Sequence, residues 1–216
     1  MASLKNKPLY LWDFYFIFSD ILTFIEFSER NIDWQRRSHE LILERKAKIK
    51  KYTRDDYWTE MHNIEYRFEV LLARSIRYSA VIALATSIEW IANFLKKRSG
   101  VSLEPKLKKI TESIHILQQF YKLVGRKLRH NLETLEKIFY VRNCIAHTNG
   151  SIEKYKHRDD ILAIMKSLKG FGVSDQHYLG EVIDIDKGAI ETIIKETESW
   201  IIDFVEECRK KNLINV

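Results

Sequence analysis

A chain of 216 residues that is 45% hydrophobic and 31% charged can bury a sizeable core, which excludes a disordered or low-complexity protein. Two prolines and seven glycines leave long helices as the default, so the expected class is all-α. A net charge of +6 favours polyanionic partners without selecting one, and two cysteines, Cys144 and Cys208, exclude a disulfide framework and fit a reduced, cytoplasmic setting.

The amino-terminal stretch is dense in aromatics: Trp12, Phe14, Phe16, Phe18, Phe24 and Phe27. Asp13, Asp20 and Glu26 interrupt it, so it is an amphipathic helix over 9–29 rather than a signal peptide, and its rings pack a core or a dimer contact. A second helix is predicted from Asp33 to about residue 51. Its tail carries Lys46, Lys48 and Lys50, a basic face that is either simply solvated or makes sequence-blind contacts to phosphates. Thr53 caps a helix over 54–73. The most apolar helix follows over 75–97, where Ala80, Ala83, Ala85 and Ser87 let neighbours approach closely. It nears membrane-span length, yet Glu89 and Asn93 sit inside it, which assigns it to a core with no membrane role. A carboxylate at Glu89, between Ile88 and Trp90, calls for a cation.

Gly100 stops that helix, and Ser102-Leu103-Glu104-Pro105 opens another that runs to about residue 123. Arg126, Lys127 and Arg129 then precede a helix beginning near Leu128. Leu132, Leu135, Ile138 and Phe139 mark its apolar stripe, and Arg142 falls on the continuation. A guanidinium there must be paired or must open onto a groove. Asn143 and His147, four apart, share a face, whereas Arg142 and His147 lie about 140° apart around the helix. Asn149-Gly150 supplies a left-handed stop, so His147 sits at the carboxyl end, where the helix dipole favours a cation. The basic cluster Arg126, Lys127 and Arg129 is at the other end, about 25–30 Å away at 1.5 Å per residue, where it can steady a long polyanion such as RNA but not join chemistry at His147 of the same chain.

A charged helix is expected over 153–168. Alternation in 180–186, with Val182, Ile183 and Ile185 against Glu181, Asp184 and Asp186, marks a short strand or hairpin near the C-terminus. Asp186 is the expected cap of a last helix over 187–211, striped by Ile190, Ile193, Ile194, Trp200, Ile201, Phe204, Val205 and Cys208. The chain divides near residue 52 into an N-terminal helical extension (1–52) packed on the core and a helical domain (53–216). Metal chemistry has no support in the motifs: His-Glu-x-x-His and paired Cys-x-x-Cys are absent, and Cys144-x-x-His147 lacks two further ligands nearby. No metal or other cofactor is expected. Glycine loops that cradle nucleotide phosphates are absent as well.

Arg142-Asn143-Cys144-Ile145-Ala146-His147 at a helix terminus resembles the Arg-x4–6-His signature of HEPN domains, with Asn in the polar slot typical of the nuclease members. That resemblance implies a HEPN-like helical bundle over 53–216 and a metal-independent endoribonuclease acting as a toxin or an antiviral-defence effector. In it His147 is general base or acid, Arg142 holds the phosphate, Asn143 orients the imidazole or a phosphate oxygen, and Glu89 lies close by. It also implies 2′,3′-cyclic phosphate ends and a homodimer whose facing motifs form a composite site, with an antitoxin or regulatory protein as partner. The Tyr found two positions after the His in nucleotidylated members is replaced by Asn149. The competing expectation is a non-catalytic helical module that binds a protein or a nucleotide.

Overall fold

From residue 9 to residue 99 the sequence holds no glycine or proline, and the chain stays helical through nearly all of it. The computed structural model describes residues 9–50, 52–104, 111–125, 130–176 and 180–215. Helix α1 runs unbroken over Leu9–Lys50. The sequence reading divides it in two near residue 31, but nothing there removes a backbone donor, and Ile25, Glu29 and Ile32 stay buried across the expected break. Helix α2, Arg54–Glu65, starts at a reciprocal cap: Asp56 N–H donates to the Thr53 hydroxyl and Thr53 N–H to the Asp56 carboxylate, both at 3.1 Å. A π-helical stretch, Tyr66–Leu72, carries it into α3, Ala73–Arg98, again joining two expected helices.

Helix α3 is the central element. Ala80, Val81, Leu84, Ala85, Ile88, Ile91, Ala92 and Leu95 are buried on it. It packs on α1, on α4 (Glu112–Leu123), on α5 (His130–Thr148) and on α7 (Ala189–Lys210). The run Arg54–Arg98 is long and apolar enough to cross a membrane, but 56% of its most apolar window is spent on these neighbours. Every residue of the predicted α7 stripe is buried, and Trp200 and Phe204 stack with Tyr121 of α4 at ring-centroid distances of 5.6 and 4.5 Å.

A short helix α6, Arg158–Ser167, leads to an antiparallel hairpin of β1, Phe171–Gln176, and β2, Gly180–Ile185, with Val173 opposite Ile183. The predicted charged helix is therefore shorter than expected, because residues 151–157 form turns. Asp186 is not the cap of α7. That position is Gly188 at φ 84°, while the Asp186 N–H donates to the Gly170 carbonyl at 2.8 Å. The hairpin is clamped to the bundle by Arg77 of α3, which donates to buried Glu29 of α1 at 2.8 Å and to the Ile185 carbonyl at 2.7 Å.

The amino-terminal aromatics divide. Phe14 and Phe18 are fully buried in the same core as α3, α5 and α7, together with Leu11, Ile21 and Ile25. Phe16, Phe24 and Phe27 are exposed. Further along, α1 and α2 form an arm of little core: α2 buries no residue, and Trp34, Ile49 and Trp58 face solvent. Lys46, Lys48 and Lys50 are exposed on that arm.

Candidate functional site

The site is built by the end of α5 and the turn that reverses the chain. Asn149 at φ 53° and Gly150 at φ 79° are both left-handed, as the Asn-Gly stop requires. The Thr148 hydroxyl lies 2.7 Å from the Cys144 carbonyl and 2.8 Å from that of Ser151, satisfying the frayed helix end. Beyond the turn the chain is stitched to β2. Ile183 N–H donates to the Gly150 carbonyl and Ile152 N–H to that of Glu181, both at 2.9 Å. Tyr78 of α3 supports the turn from beneath, its phenol donating to the Ile183 carbonyl at 2.6 Å; burial pushes that phenol well above the usual tyrosine range, so it stays a donor.

This reversal lays Tyr155, Lys156 and His157 beside α5. Together with Thr111 and with Glu136, Tyr140, Asn143 and His147, they line an open cavity of about 240 Å³. The α5 members recur at four, three and four residues, one stripe of the helix. His147 is exposed, and Asn143 is half-buried beside it. Tyr155 is buried, and burial raises its phenol pKa, with Cys144, Tyr140 and Asp160 adding to the rise. Cys144 is fully buried, and burial raises its thiol pKa against the smaller effect of the Thr148 hydrogen bond. A neutral, shielded thiol is a poor nucleophile.

Arg142 faces the other way. The apolar stripe continues through Val141, Cys144 and Ile145, all buried, and Arg142 lies half-buried at its edge toward α3. Its Nη2 is 3.7 Å from the Glu89 carboxylate, its Nη1 donates to Asn143 Oδ1 at 3.0 Å, and its Nε is shielded with no partner among the described residues. The cation that Glu89 calls for is thus Arg142. Arg142 does not line the cavity, yet it holds Asn143, which does. Because both charges keep about a third of their surface in solvent, the pair is worth little stability. Glu89→Gln is expected to lower thermal stability by under about 1 kcal/mol, measured by melting; a loss several times larger would show a truly buried pair.

Lys46, Lys48 and Lys50 do not reach the cavity, and Arg126, Lys127 and Arg129 lie outside the described residues. Among the described residues no three His, Cys, Asp or Glu side chains group as metal ligands would. The sequence reading missed Glu136 and Tyr140, which helical spacing back from His147 could have found. It also missed Tyr155 and His157, which only the turn at 149–150 brings in.

No family model, curated protein or solved structure matches this chain. Its function is therefore argued from the cavity and its residues.

Proposed function

We propose that the chain is a metal-independent endoribonuclease of HEPN type, cleaving RNA by attack of the ribose 2′-hydroxyl. The observation that carries this reading is the pairing of Asn143 and His147 on the wall of one open cavity, with Arg142 fastened to Asn143. A 2′-hydroxyl becomes a nucleophile when a base removes its proton, and imidazole does this near neutral pH. Asn143 offers an amide to a phosphate oxygen. Arg142, on exchanging Asn143 and Glu89 for a phosphate, adds a bidentate cation to the charge that builds on the equatorial oxygens. Tyr140 and Tyr155 give the cavity walls that suit an unstacked base.

The exposed apolar side chains Phe16, Phe24 and Phe27 on α1, with Ile82 and Trp90 on α3, favour a homodimer, in which the partner subunit brings its own arginine to the cavity. A role as a toxin or defence effector under a regulatory partner follows from the same family likeness. Purified protein incubated with single-stranded and structured RNA in EDTA tests the reading. The expected products carry 2′,3′-cyclic phosphate and 5′-hydroxyl ends, and a strand with deoxyribose at the cleaved position stays whole. Intact RNA under these conditions, or cleavage of the deoxyribose linkage, would end it.

A further inference from the structure

Cleavage through the 2′-hydroxyl moves two protons. As the O2′–P bond forms and the P–O5′ bond breaks, one proton leaves the 2′-hydroxyl for a base, and another reaches the departing 5′-oxygen from an acid. The entering and leaving oxygens stand on opposite sides of phosphorus, so one imidazole is poorly placed to serve both. The cavity holds two. His147 comes from α5, and His157 comes from the segment that returns beside it.

We propose that His157 is the general acid of the cleft, protonating the 5′-oxygen while His147 of the same chain takes the 2′-hydroxyl proton. This assignment rests on the ribonuclease reading above. Three observations support it. His157 occupies the N-cap position of α6 yet makes no capping hydrogen bond with its side chain, so the helix does not use the ring. Its Nδ1 lies 3.7 Å from Asp160 Oδ2, so that side of the ring faces the carboxylate of its own helix. With Nδ1 turned to Asp160, Nε2 is the nitrogen left for proton transfer. Tyr155 meets the ring edge-on at 5.8 Å and steadies it. The other charged or titratable groups around it are Lys156 from the same segment and Glu136, Tyr140 and His147 from α5. Both proton-transfer groups then belong to one chain.

The test compares the whole protein with its His147→Ala and His157→Ala variants on two RNA substrates, from about pH 5 to pH 9. One substrate is ordinary, and the other carries sulfur in place of the 5′-bridging oxygen. A thiolate departs without a proton, so that substrate needs no acid. His157→Ala is expected to cut ordinary RNA about 10²–10⁴-fold more slowly, to lose the alkaline limb of the pH–rate profile, and to recover near-normal rates on the sulfur substrate. His147→Ala stays slow on both. Wild-type protein that cleaves neither substrate overturns the ribonuclease reading and this assignment with it. Normal cleavage of ordinary RNA by His157→Ala overturns the assignment alone, as does a defect that persists with the sulfur leaving group in a variant whose circular dichroism is unchanged.

Discussion

His147→Ala is expected to slow RNA cleavage by about 10²–10⁴-fold, the range general acid–base catalysis contributes, while the melting temperature stays where it was. The two halves of that expectation come from one fact. The imidazole is exposed on the cavity wall at the end of α5, so removing it leaves no void in the core and no buried group without a partner. An arrangement in which His147 merely ended the helix would show the reverse, a small loss of stability and unchanged cleavage. Added imidazole should restore part of the activity of His147→Ala, since the vacated space opens to solvent and a free base can enter it. Single-turnover rates on one labelled RNA, with and without imidazole, measure both effects; full activity in the variant without rescue would sink the assignment.

Gly150→Ala is expected to cost roughly 2–5 kcal/mol of stability, a sum of two separate penalties. Left-handed backbone at φ 79° costs a residue with a Cβ about 1–2 kcal/mol. The added carbon would also stand 2.6 Å from two ring carbons of Tyr78, and crowding of that kind costs about 1–3 kcal/mol. For a chain of this size the melting temperature should fall by roughly 4–20 °C. Tyr78 cannot step aside cheaply, because its phenol is held by the Ile183 carbonyl. Repeating the change in a Tyr78→Ala background separates the terms: the contact penalty should vanish and only the backbone cost of about 1–2 kcal/mol remain. Equal penalties in both backgrounds would show that the ring is not the obstacle. The same turn directs Tyr155 and His157 to the cavity, so cleavage should suffer in Gly150→Ala even below its melting temperature.

The two variants probe different layers of one design. His147 lies at the surface and depends on the turn for its neighbours on the cavity wall. Gly150 has no chemistry, but it is the hinge that lets the segment after α5 fold back and be stitched to β2. The hairpin serves the site in this way: it is the edge against which the returning chain is pinned, and Arg77 ties it in turn to α1 and α3.

By itself the sequence determined what local physics dictates. Near-absence of glycine and proline through residue 99 makes the chain helical, the three- and four-residue stripes pick out the faces of α5 and α7, and Asn149-Gly150 ends α5 because few residues tolerate left-handed backbone. That Glu89 calls for a cation and Arg142 for a partner or a groove was legible too, and the fold answers each need with the other. Tertiary structure decided the rest. Whether residues 29–33 and 73–75 break the chain or carry it through depended on burial by partners far away in sequence, as Ile32 and Ala73 meeting in one small cluster make plain. The start of α7 was set by Gly188 and not by Asp186, because the Asp186 backbone was already committed to Gly170. Above all, periodicity describes one helix at a time, so it could place Asn143 beside His147 but not bring His157 and Tyr155 to them across a turn. That meeting is a property of the fold, and the proposed chemistry depends on it.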